Sequence, residues 1–226
     1  MTRRGVVLIA VVVLIAAAVA LLFVFDPFKW GPQPEPAPVY TIAIDAGHGG
    51  RDPGAVGGDV VEKDINLTIV GMLVDLVNAE PDMVAAQIRR LDIFIALEDR
   101  IAQAEEVGAE VYVTVHVNSY SSADPDGVET IIDNTRELDS ESWVLGELIQ
   151  DGVTETTGAR DRGTRSQESY LQRTEMPAVS VETGYITNPA ERAKLIDPEY
   201  QMKIAQGILN GIRQFIDWKH PASASP

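Results

Sequence analysis

The chain contains no cysteine. Disulfide bonds, cysteine-ligated zinc and thiol catalysis are therefore excluded. Basic residues are also scarce: Lys and Arg number 18 against 34 Asp and Glu, for a formal net charge of -16. Phosphate backbones are bound by clustered Lys and Arg, so this balance argues against a nucleic-acid partner. The acid excess itself favours solubility. Histidine occurs three times in 226 residues. There is no Gly-x-Ser-x-Gly elbow for a serine hydrolase and no compact His-Glu-x-x-His metal helix. Internal repeats and a second domain are absent.

What is present begins with an apolar run. From Gly5 to Phe25 there is no charged residue, and these 21 residues would span about 30 Å as a helix, one hydrocarbon core. Arg3 and Arg4 precede the run, which places the N-terminus in the cytoplasm and the rest of the chain outside. Ala18-Val19-Ala20 offers a signal-peptidase alternative, but the apolar run continues past it. The expectation is a single-pass cell-membrane protein with an extracytoplasmic domain, or a secreted one if the segment is cleaved. Residues 31–38 hold four prolines in eight positions, a stiff extended spacer. The expected organisation is residues 1–30 as cytoplasmic stub and anchor, 31–38 as linker, 39–218 as the folded domain and 219–226 as a disordered tail.

Within the domain, strand and helix patterns alternate. Strands are expected over 40–45, 84–88, 111–115, 127–132 and 178–181, and helices over 63–78, 97–107, 142–154 and 198–216. Pro198 suits a first helical turn. This alternation predicts an α/β sandwich around one sheet.

Two of the three histidines, His48 and His116, follow expected strands, and so does Glu182. Sites in open α/β sheets form outside the carboxyl ends of strands. Glu62 opens the first long helix, directly after the His48 loop, and its carboxylate can turn back to the same edge. Two His and one Glu make a sufficient set of protein ligands for catalytic zinc, leaving a position for water. A further carboxylate can then serve as general base. The glycines beside His48 suit a tight turn with positive φ. Each residue also has a plainer use: a loop hydrogen bond for a histidine, helix-dipole chemistry for Glu62, a solvated loop for Glu182.

The segment Ile44-Asp45-Ala46-Gly47-His48-Gly49-Gly50-Arg51-Asp52-Pro53-Gly54-Ala55, followed by Glu62-Lys63-Asp64, resembles the opening motif of the zinc-dependent N-acetylmuramoyl-L-alanine amidases, the type 3 amidase family. Arg89-Arg90-Leu91-Asp92 with Leu97 and Arg100 resembles the second motif. Val115-His116-Val117-Asn118-Ser119 with Gly127-Val128-Glu129-Thr130 resembles the third, and Met176 to Asn188 the last. The resemblance runs in order from Tyr40 to Ile216. Ala46 stands where many members have Pro, and Ile101 to Ala104 lacks the usual Ala-Asn pair.

The resemblance implies zinc held by His48, Glu62 and His116, with Glu182 as catalytic carboxylate. It also implies a mixed, roughly six-stranded sheet with helices on both faces. The substrate would be peptidoglycan, cut between the lactyl group of N-acetylmuramic acid and L-alanine. Only seven residues separate Ser119 from Gly127, where some members carry a helical insertion that plugs the site. An open site that needs no activator is the expectation. Two alternatives stand beside the amidase: a zinc peptidase cutting within the stem peptide, and an inactive wall-binding protein. Oligomeric state and the roles of Arg89, Arg100 and Asn118 are left open.

Overall fold

The computed structural model describes residues 38–221 and, before them, Ile15 alone. The expected anchor, spacer and final tail residues 222–226 lie outside the described residues. No helix among the described residues is long and apolar enough to cross a membrane.

The sheet has six strands in the order β4-β1-β5-β8-β6-β7. They are β1 Tyr40–Ala46, β4 Met83–Gln87, β5 Val111–Asn118, β6 Val128–Asp133, β7 Asp161–Gln167 and β8 Ala178–Tyr185. β4, β1, β5 and β8 are mutually parallel. β6 runs antiparallel to β8, and β7 parallel to β6. A small hairpin, β2 Val56–Gly57 with β3 Val60–Val61, hangs between β1 and the first helix. The mixed six-stranded sheet agrees with expectation.

The inner strands are apolar on both faces because helices cover both. Ile42, Ile44 and Ala46 of β1, with Val111, Val113 and Val115 of β5, face the larger core cluster. Against them pack α1 Glu62–Asn78, α3 Glu141–Thr157 and α5 Pro198–Lys219. Ala43 and Tyr112 point the other way, into a smaller cluster with α2 Leu97–Glu106 and the 3-10 turn Tyr170–Arg173. α4, Pro189–Leu195, links β8 to α5. Local chemistry sets the helix ends. The Asn188 and Asp197 side chains cap α4 and α5, each followed by Pro, and Gly158 closes α3 in the left-handed conformation.

Three expectations are corrected. β5 and β8 run on past Val115 and Val181, so His116 and Glu182 sit within strands rather than after them. β7, α4 and the hairpin were not anticipated. The last helix reaches Lys219, one residue past the expected domain end. Lys219 bonds Glu110 and Glu141, and His220 bonds Glu110 and stacks on Tyr40. Those contacts make residues 219 and 220 part of the domain rather than of a tail.

Candidate active site

The extension of β5 and β8 has a direct consequence. His116 lies opposite Glu182 in the sheet register, and Glu182 lies opposite Glu129 on β6. Cross-strand partners share a face. His116, Glu182 and Glu129 therefore form one row, on the side of the smaller cluster, near the carboxyl ends of β5 and β8.

His48 joins this row from the turn after β1. Its backbone is left-handed, φ 63°, and Gly49 and Gly50 also have positive φ. A non-glycine residue in that region is held there by its surroundings. Here the surroundings are two arginines. Arg89, fully buried, donates to the carbonyls of Ala46 (2.7 Å), Gly47 (3.1 Å) and Lys63 (2.8 Å). Arg100 donates to Ala46 O (2.9 Å) and His48 O (2.6 Å), and it grips the Asp45 carboxylate at 2.8 and 2.9 Å. Three successive carbonyls are thus turned inward onto two guanidinium groups. Arg89 and Arg100, both buried, shape the loop.

Glu62 is brought in by the start of α1. No side chain caps this helix; the Ala55 and Pro53 carbonyls of the same loop accept the amides of Glu62 and Lys63 instead. The Glu62 side chain is thereby free to enter the site, where it is 3% exposed. Its Oε1 lies 3.2 Å from His48 Nε2 and 3.0 Å from His116 Nδ1. The amides of Ala55 (2.7 Å) and Val117 (3.1 Å) donate to its two oxygens. One donor atom from each of His48, Glu62 and His116 lies within 4.8 Å of the others.

Two glycines leave the room these side chains need. A Cβ on Gly47 would fall 2.1 Å from His116 Cε1, and one on Gly54 would fall 2.5 Å from Glu62 Oε2 and 2.6 Å from His48 Cδ2. On its outer side His48 Nδ1 meets Asp52 Oδ2 at 2.9 Å. In the neutral ring that bond favours the proton on Nδ1 and leaves Nε2 turned to the cluster.

The electrostatics divide the two glutamates. Burial works against ionised Glu62, but hydrogen bonds from His116 and His48, reinforced by their charge, hold it well below the usual carboxylate range. Burial also works against a charged His48, yet Glu62 and Asp52 outweigh it and raise the ring to about 9. Glu182 goes the other way. Burial, with the charges of Glu62 and Glu129, pushes it up to about 7 against the pull of His116 and His48. Two carboxylates with opposite shifts mark different roles.

The chain matches the Amidase_3 family, N-acetylmuramoyl-L-alanine amidase, over residues 42–214. The chain belongs to this amidase family. Among its relatives, protein YqiI of Bacillus subtilis is 39% identical over 81% of this chain and 88% of that protein. The B. subtilis amidase LytC is 36% identical over 76% of this chain but only 34% of its own length. The solved structure of an N-acetylmuramoyl-L-alanine amidase from Clostridium difficile 630 superposes with a TM-score of 0.77 at 32% identity, covering 81% of this chain and all of that one.

All four residues singled out in the sequence meet at one end of the amidase sheet. Sequence reasoning missed Asp52, although it lies within the first motif, and it missed Arg162 and Arg165 on the unanticipated β7. Asn118 is placed by the structure too: its Nδ2 donates to Glu129 Oε1 at 2.6 Å. Residues 119–127 carry no helix, so no helical plug occupies that connection.

Proposed function

We propose that the chain is a zinc-dependent N-acetylmuramoyl-L-alanine amidase in which His48, Glu62 and His116 hold the metal and Glu182 moves the proton. The observation that carries this is the in-register pairing of Glu182 with His116, which sets a raised-pKa carboxylate beside a two-histidine, one-glutamate cluster. The donor set fits zinc: two imidazoles and one carboxylate, hard and borderline ligands with no thiolate. The Gly47 and Gly54 cradle, which any Cβ would fill, supports the same fit.

When bound, zinc supplies a water acidified towards a pKa of about 7 and a positive charge for the oxygen of the attacked carbonyl. Glu182 takes the proton from the attacking water. Burial holds its proton affinity above the usual carboxylate range, which suits it to give that proton back to the departing nitrogen of L-alanine. Asp52 fixes the tautomer of His48, and Asn66 Nδ2, 3.3 Å from Glu62 Oε1, steadies the carboxylate. The attacked carbonyl is that of the lactyl group of N-acetylmuramic acid.

The N-terminal run is proposed as an uncleaved membrane anchor that tethers this activity to wall within reach of the Pro-rich spacer. Recovery of the full-length chain in the soluble fraction of its host would refute the anchor. The activity is tested with the full chain on purified peptidoglycan, with and without a chelator, the products identified by mass spectrometry. Expected is chelator-sensitive release of whole stem peptides bearing a free L-alanine amine, without an added activator. Fragments cut within the stem would transfer the assignment to a peptidase. No release from zinc-loaded protein would leave a binding role.

A further inference from the structure

Beyond Glu182 the sheet carries a second charged cluster that the reaction above leaves unused. Glu129, 7% exposed, is fully engaged. Its Oε1 accepts from Asn118 Nδ2 (2.6 Å) and the Tyr185 hydroxyl (3.1 Å). Its Oε2 accepts from Arg162 Nε (3.1 Å) and makes an ion-pair contact with Arg165 Nε at 3.0 Å. Two guanidinium groups thus meet one carboxylate, and one positive charge is left over.

The two arginines are not equivalent. Arg162 is the inner one. Its side chain is 22% exposed, and its guanidinium lies 5.0 Å from the centre of the Tyr185 ring. Arg165 is the outer one, with 53% of its side chain exposed. Its Nε–H donates to the Arg162 carbonyl and lies in ion-pair contact with Glu129 Oε2. Neither of its Nη groups is hydrogen-bonded among the described residues. Neutralising Glu129 takes one guanidinium, so the second is surplus to that task. In a chain of net charge -16, Arg165 is a half-exposed cation that reaches back to Glu129 from a β7 position opposite Ile131.

The cations on the opposite flank are committed. Lys63 is tied to Asp92 and the Gly50 carbonyl, Arg89 is buried on loop carbonyls, and Arg51 lies over the Phe94 ring.

We propose that Arg165, seated by Glu129 and Arg162, binds a carboxylate on the second residue of the departing stem peptide. The occupant assigned is a stem peptide whose second residue bears a free carboxylate. Adjacent strands lie about 4.8 Å apart, so the Glu129 position is about 10 Å along the row from His116. Two extended peptide residues reach about 7 Å, and the Arg165 side chain, which extends back from β7 to Glu129, covers the remainder. The planar fork of an arginine matches a carboxylate through two parallel hydrogen bonds. The peptide would then leave across β8 and β6, and Arg165 would select anionic stems over amidated ones. This assignment rests on the amidase reading.

The test uses the zinc-loaded full chain on two substrates: purified peptidoglycan, and the same wall with its carboxylates converted to carboxamides by carbodiimide and ammonia. On the native wall Arg165→Gln is expected to raise apparent KM about ten-fold, the size of one lost charge-assisted contact, with kcat within about two-fold. On the amidated wall wild type already shows the raised KM, and Arg165→Gln adds nothing to it. Arg165→Lys, which keeps the charge but loses the fork, falls between the two on the native wall. Zinc content is measured for each variant, since a variant that merely unfolded would lose it. An equal loss on both walls, or a wild type indifferent to amidation, overturns the subsite. Failure of wild type to release stem peptides from either wall would instead overturn the amidase reading.

Discussion

Gly47→Ala offers a steric test of the metal cradle that replaces no proposed ligand. The Gly47 backbone cannot retreat. Its amide donates to Val115 O at 3.0 Å, and its carbonyl takes Arg89 Nη2 and Asn66 Nδ2. A Cβ built there falls 2.1 Å from His116 Cε1, 2.3 Å from Nε2 and 2.6 Å from Nδ1. The whole ring is in the way, so it must withdraw by about 1.3 Å to reach ordinary contact near 3.4 Å. Metal–ligand distances tolerate about 0.2 Å. The displacement exceeds that several-fold, and zinc affinity is expected to fall by about 100-fold or more, at least as much as loss of a supporting contact costs. The overpacking should cost only about 1–3 kcal/mol, so the domain still folds. Affinity is measured by competition with a chromophoric chelator, zinc per chain by elemental analysis, and folding by thermal melting. Gly71→Ala is the control: it lies within α1, and its Cβ meets nothing within 4 Å. It should bind zinc normally and gain about 1 kcal/mol from helix propensity. Gly47→Ala with wild-type zinc affinity and turnover would refute the assignment of His116 as a ligand.

Glu182→Gln is expected to keep its zinc while turnover falls by roughly 10²–10⁴, the usual share of a general base; near-normal kcat on peptidoglycan would sink that role. Arg100→Ala leaves the buried Asp45 carboxylate without its ion-pair partner, and should cost about 3–5 kcal/mol, or roughly 10 °C in Tm for a domain of this size; a shift under about 3 °C by calorimetry would contradict it. His48, raised to about 9 without metal, must lose a proton before it can bind zinc. Uptake at pH 7 should therefore release protons and tighten as pH rises, visible as a buffer-dependent binding heat. The linkage has a definite sign in the metal-free domain. The stabilisation His48 gains from Glu62 and Asp52 is fully present below about 6.5 and is lost as pH rises through about 9. A binding heat independent of buffer would count against this.

The parts of the fold that could be read from the sequence are those built on packing. β1 and β5 are runs of Ile, Ala and Val, and α1 repeats its apolar residues along one face, so their burial leaves a pattern in the chain. β7 reads Asp-Arg-Gly-Thr-Arg-Ser-Gln. An edge strand of polar and small residues, paired to β6 and bonded to α3 through Asp161 and Gln150, leaves no such pattern. That lack of pattern hid Arg162 and Arg165. The site residues were legible as types placed near strand ends, and the four ordered motifs tied them together. Their registration was not legible. The pairing of His116 with Glu182 depends on β5 and β8 extending through polar residues, where hydrophobic periodicity has already stopped.

The carbonyls of Ala46, Gly47 and His48, drawn onto Arg89 and Arg100, also fix an order of events. Small zinc domains commonly need their ion to fold, because nothing else gathers the ligands. Here the ligand loop is assembled by the chain's own cations, and Asp45 beneath it is satisfied by Arg100 and Tyr112. Folding and metallation are thereby separable. On the proposed zinc reading, the polypeptide would complete its structure with the site empty and take up metal afterwards, so that availability of zinc would govern when cutting begins rather than whether the protein survives.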